Sequence, residues 1–127
     1  MSVLSQHIKR KHSWKTVCVS ECLHNIGISI DSFYSTWTRK NPSAWKGVIR
    51  RNGFALRSRL SLMGKRPTVG SVRSKVAKLS DGPNTKYIVV VDGHMLLLNS
   101  NGETIVDTSP RKRDRRGVLM LYAVWPK

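Results

Sequence analysis

The chain has 127 residues, 39% of them hydrophobic, which is material for one compact domain built on a single core. Its 23 Lys and Arg against 7 Asp and Glu leave a net charge of +16, a field that attracts nucleic acid, anionic surfaces or acidic proteins. No stretch approaches the roughly 20 apolar residues of a membrane span, and "MSVLSQHIKRKHSW" lacks the apolar run of a secretory leader. A soluble, cytosolic protein without a cofactor is the expectation, with Cys18 and Cys22 as free thiols.

Residues 1–12 are polar and basic and read as an arm. A helix is expected from about Cys18 to Asn25, because Val19, Cys22, Leu23 and Ile26 recur at helical spacing and Gly27 is a natural stop. In "SIDSFYSTW", Asp31 can cap a short helix with Phe33 and Trp37 on one face. "NPSAWKGVIRRNG" predicts another helix, capped by Ser43, with Trp45, Val48 and Ile49 inward and Gly53 as the stop. "FALRSRLS" alternates as a strand with Arg57 and Arg59 on one face. "TVGSVRSKVAKLS" predicts a short helix burying Val69, Val72, Val76 and Leu79.

From "KYIVVVDGHMLLL" onward the chain changes character. That segment is a strand pair or one long bent strand, with Gly93 permitting a bulge. "NSNG" is a turn, "ETIVDT" a return strand, "SPRKRDRRG" a charged connection and "VLMLYAVW" a last strand. The fold class is α+β: helices over residues 13–80, then an antiparallel sheet over 86–125, in one domain spanning 1–127. A zinc site is not expected, since Cys18, Cys22 and His24 lack a second group of ligands at the usual spacing.

One residue in the most hydrophobic run is out of keeping: His94, set among Val, Met and Leu. If Asn101 and Gly102 are the two central residues of a primed turn, Ser100 faces Glu103, Leu96 faces Asp107 and His94 faces Ser109. His94 and Asp107 are then diagonal neighbours on one face, roughly 7–8 Å apart at the backbone, within reach of an imidazole–carboxylate hydrogen bond. A slip of one residue would put them on opposite faces. A carboxylate that orients an imidazole is two members of a nucleophilic triad. The third candidate is Cys18, expected at a helix start where N–H groups and the dipole favour thiolate. The plain alternative is a structural histidine beside a small buried cysteine.

"TVCVSECLHNIGISIDSFYSTW" resembles the opening helix of papain-like cysteine peptidases, especially compact versions in phages and bacteria, and "KYIVVVDGHMLLLNSNGETIVDTSP" resembles their histidine-bearing second motif. The two motifs frame about residues 16–110, in the order Cys, His, Asp. The resemblance implies a papain-like fold, with Cys18 as nucleophile, His94 as base, Asp107 as the orienting residue and a thioester intermediate. It also implies an upstream oxyanion-holding Gln, for which Gln6 is the only candidate, twelve residues before Cys18. Val17 stands where such enzymes often carry an acidic residue or Asn. A phage-encoded origin would place the protein in a host cytoplasm.

Between Asp31 and Asp81 lie twelve basic residues and no acid, including Arg50, Arg51, Arg57, Arg59, Lys65 and Arg66. Arg111, Lys112, Arg113, Arg115 and Arg116 form a second group. Both are candidates for polyanion contact, through phosphates or acidic side chains. Two function classes follow: a papain-like hydrolase of peptide or isopeptide bonds, with acidic protein or peptide substrates, or the same fold without activity, gripping nucleic acid or an acidic host protein.

Overall fold

The computed structural model describes residues 14–28, 44–107 and 115–127, and is mixed α+β with a five-stranded antiparallel sheet. In chain order the elements are α1 (Trp14–Ile26), α2 (Ala44–Arg51), β1 (Phe54–Ser58), a 3-10 turn (Leu60–Met63), α3 (Val69–Val76), β2 (Lys86–Val91), β3 (His94–Leu98), β4 (Thr104–Val106) and β5 (Met120–Pro126). The basic arm, the helix expected after Asp31 and the Ser43 cap lie outside the described residues. Among the described residues, no helix is long and apolar enough to cross a membrane.

The sheet order is β1-β5-β2-β3-β4. Alternation along its strands feeds two cores. Ile88, Met95, Leu97, Tyr122 and Val124 face one side and pack with Cys18, Cys22 and Leu23 of α1 and with Trp45, Val48 and Ile49 of α2. Tyr87, Val89, Leu96, Leu98, Leu121 and Ala123 face the other and pack with Val69, Val72 and Val76 of α3 and with Met63. The central strands are buried on both faces, which is why β2 and β3 read as continuous apolar runs rather than alternating ones. Helices therefore cover both sides of the sheet, and one strand, β1, comes from the half expected to be mainly helical.

Local signals account for most boundaries. α1 ends at Gly27, φ +110°, where the Gly27 and Ile28 N–H groups both return to the Leu23 carbonyl. It begins at Trp14, four residues earlier than expected. α3 carries a capping box: Thr68 Oγ1 accepts from the Ser71 N–H and Ser71 Oγ from the Thr68 N–H. "KYIVVVDGHMLLL" is a strand pair, β2 and β3, closed by the two-residue turn Asp92-Gly93 so that Val91 pairs with His94.

Arg59 does not project its charge to solvent. Its guanidinium is paired with Asp81, whose other oxygen accepts from the Tyr87 hydroxyl at 2.7 Å. Burial acts to raise the Asp81 carboxyl, but the hydrogen bonds from Arg59 and Tyr87, with the charges of Arg59 and Arg57, overcome it and hold it below its ordinary value. An aspartate protonates near pH 4 in an unfolded chain. The stabilisation is thus complete above that pH and is lost as pH falls toward the lower folded value. In urea titrations between about pH 4 and 2, the stability of the native sequence should fall more steeply than that of Asp81→Asn, which at pH 7 should be less stable by about 2 kcal/mol.

The turn after β3 differs from expectation. The Gly102 N–H bonds to the Asn99 carbonyl at 3.0 Å and the Asn99 N–H to the Glu103 carbonyl at 2.9 Å, so the loop is the three residues 100–102, with Gly102 at φ +82°. Asn99 Oδ1 accepts from the N–H groups of Asn101 and Glu103, which makes the turn rigid. A Cβ on Gly102 would overlap the Arg73 carbonyl oxygen at the end of α3. Gly102→Ala should therefore cost about 2–4 kcal/mol in urea denaturation, from the positive φ and the overlap together.

Candidate functional site

The three-residue loop shifts the hairpin by one: Leu98 pairs with Thr104 rather than Ile105. Ile105 is then an extra, exposed residue, and Leu97 pairs with Val106. The bulge cancels the shift. Beyond it the register is the one that puts Leu96 opposite Asp107, and His94 and Asp107 share a face as expected. His94 Nε2 and Asp107 Oδ1 are 2.7 Å apart, with side-chain exposures of 3% and 7%. A carboxylate only accepts, so Nε2 carries the hydrogen and Nδ1 is the acceptor nitrogen of the neutral ring.

α1 brings Cys18 near Asp107, whose charge acts on the thiol. The helix packs on β3 and β4. In a two-residue hairpin the pair next to the turn, Val91 and His94, exchanges the closely spaced hydrogen bonds, so the next residue, Met95, directs its N–H away from β2. On that side β4 reaches only Val106, opposite Leu97. The Met95 N–H acts on the Cys18 sulfur and favours its thiolate, against the effect of burial. By alternation His94 faces with Leu96 and Leu98, whereas α1 and Cys18 pack on the face of Met95 and Leu97. Asp107 is near enough for its charge to act on both cysteines.

Two expectations about Cys18 are corrected. It lies in the second turn of α1, not at its start, so the unpaired N–H groups of the helix tip are a turn away. Its thiol is raised, not lowered: burial dominates, opposed by the N–H groups of Met95, Val19 and Cys18 itself. Cys18 is 3% exposed, so the three groups sit beneath the surface rather than along an open crevice. Cys22, one turn on, is fully buried and is core, as expected; burial pushes its thiol well up.

The basic residues divide. Arg50, Arg51, Arg57, Lys65, Arg66 and Arg115 are exposed, Arg59 is committed to Asp81, and Arg116 is half-buried and donates to the Asp92 carbonyl at 3.0 Å. Gln6, Arg111, Lys112 and Arg113 lie outside the described residues. Sequence reasoning missed the Met95 N–H, since a backbone donor has no signature in residue identity, and also the buried carboxylate of Glu21, which is 4% exposed on α1. Polar helix positions are taken as solvent-facing by default, and Glu21, next to Ser20, is no exception in the sequence.

Comparison with protein-family profiles, with curated proteins and with solved structures returns no match for this chain.

Removing the acceptor from a buried ring nitrogen leaves its desolvation uncompensated. Asp107→Ala should therefore lower stability by about 1–3 kcal/mol in urea unfolding, whatever the chemical role of the site.

Proposed function

We propose that the chain is a small papain-like cysteine hydrolase acting on a peptide or isopeptide bond through Cys18, His94 and Asp107. The observation that carries the reading is the buried 2.7 Å pair of His94 and Asp107 at the strand edge where the Met95 N–H meets the Cys18 sulfur. A buried polar pair in an apolar strand is costly next to a hydrophobic replacement, and such pairs concentrate where chemistry needs them. The order along the chain and the two sequence motifs support the same family.

Burial keeps Cys18 a thiol at rest, so His94 acts as general base during attack rather than holding a preformed thiolate. Sγ bonds to the carbonyl carbon, the thiol proton passes to Nδ1, and Asp107 stabilises the resulting imidazolium through Nε2–H. The proton then leaves with the amine, and water hydrolyses the thioester with His94 again as base. At 3% exposure, a substrate reaches Sγ only after the groups over it shift.

A second reading rests on the surface. The exposed arginines and lysines, with a resting thiol at Cys18, suit a catalytically silent module that binds nucleic acid or an acidic protein. Trp125, half-buried beside an open cleft of about 260 Å³ lined also by Asp81 and Pro83, is an aromatic within reach of a base.

Labelling separates the two. A peptide carrying a thiol-directed electrophile should modify Cys18 selectively over Cys22 at pH 7–8, and His94→Ala should slow this at least about 100-fold while the fold is retained. Equal labelling rates in the native sequence and His94→Ala, or none in either, would remove the hydrolase reading.

A further inference from the structure

We propose that the corner formed by Lys65, Arg66, Arg115 and Arg116 binds an acidic segment of a polypeptide and holds it beside His94; that the bound chain is a substrate rests on the hydrolase reading above.

The corner is assembled by one isolated β-bridge between Thr68 and Gly117. The Val69 N–H bonds to the Arg116 carbonyl and the Val118 N–H to the Pro67 carbonyl, both at 2.9 Å. Two sequence groups some fifty positions apart are thereby fixed side by side, Lys65-Arg66 before one strand of the bridge and Arg115-Arg116 before the other. Lys75 adds a fifth cation: its Nζ reaches the Met63 carbonyl at 2.6 Å, beside Gly64. From this group the Arg116 guanidinium extends to the Asp92 carbonyl in the turn immediately before His94. The corner thus reaches the turn that leads directly into His94.

Arg66 is the informative residue. It has φ +46°, the only positive φ outside glycine among the described residues, and it precedes a proline, which restricts its backbone further. Glycine or asparagine would adopt this conformation at less cost. An exposed arginine held there points to use of its charge.

The partner's class follows from what accompanies the charge. Leu119, 56% exposed, lies one residue beyond the Val118–Pro67 hydrogen bond, as Arg66 does on the opposite segment. Cations around one exposed leucine fit a chain that alternates carboxylates with apolar side chains better than a phosphodiester backbone. Tyr87 and Tyr122 are buried, and Trp125 sits at the far end of β5, about 20 Å away at 3.3 Å per residue, so none of these provides a stacking surface at the corner. Arg50 and Arg51 are also at that far end, where Phe54 pairs with Pro126.

The test is fluorescence anisotropy with a labelled peptide of alternating Glu and Leu, in a Cys18→Ala background so that turnover plays no part. Lys65→Ala/Arg66→Ala/Arg115→Ala should weaken binding at least about tenfold, and Arg50→Ala/Arg51→Ala should change it less than about twofold. Arg66→Gly should raise the melting temperature while weakening binding, a combination a merely structural arginine would not give. No binding of the peptide, equal losses from both sets of variants, or an Arg66→Gly protein that binds normally would overturn the proposal. So would a single-stranded oligonucleotide of equal length binding more tightly through the same residues. Covalent labelling of Cys18 is unaffected by any of these results, so this inference and the hydrolase reading fail separately.

Discussion

One extra residue, Ile105, decides which face of the hairpin Asp107 occupies. The loop 100–102 alone would pair Leu97 with Ile105 and put Asp107 on the face of Met95, across the strand from the imidazole. Because the pleat has a period of two, the bulge returns the carboxylate to the face of His94. The cost of the exposed Ile105 is small, since a bulge at a sheet edge disturbs only one ladder. The gain is the 2.7 Å contact that satisfies a buried ring nitrogen. Everything proposed about chemistry follows from that register.

The short length of β4 is the second element of the design. β4 ends at Val106, and the Met95 N–H acts on the Cys18 sulfur. Cys18 is buried within the contact between α1 and the sheet, and the desolvation that raises its thiol is a consequence of that packing.

How far the sequence disclosed this depended on whether the signal was local. Gly27 and Gly53 marked helix ends because positive φ selects glycine, and Trp45, Val48 and Ile49 marked the inner face of α2 because burial selects apolar residues at helical spacing. The pairing of His94 with Asp107 was expected through a two-residue turn that does not form; the error was offset by a bulge that Thr104-Ile105-Val106, three β-forming residues, gave no means to foresee. The diversion of Arg59 to Asp81 was equally hidden, since the two are 22 positions apart and an alternating strand reads the same whether its arginine meets water or a carboxylate. The juxtaposition of Lys65-Arg66 with Arg115-Arg116 depends on a single bridge between irregular segments, which has no periodicity to read.

The most direct test of the central claim is a long-range 1H–15N spectrum of the His94 ring in the folded protein. The register described here requires the neutral imidazole to be a single tautomer, with hydrogen on Nε2, and requires Asp107→Ala to abolish that preference. A ring protonated on Nδ1, or one averaging freely between tautomers in the native sequence, would mean that Asp107 does not hold the imidazole and that the site does not exist as described.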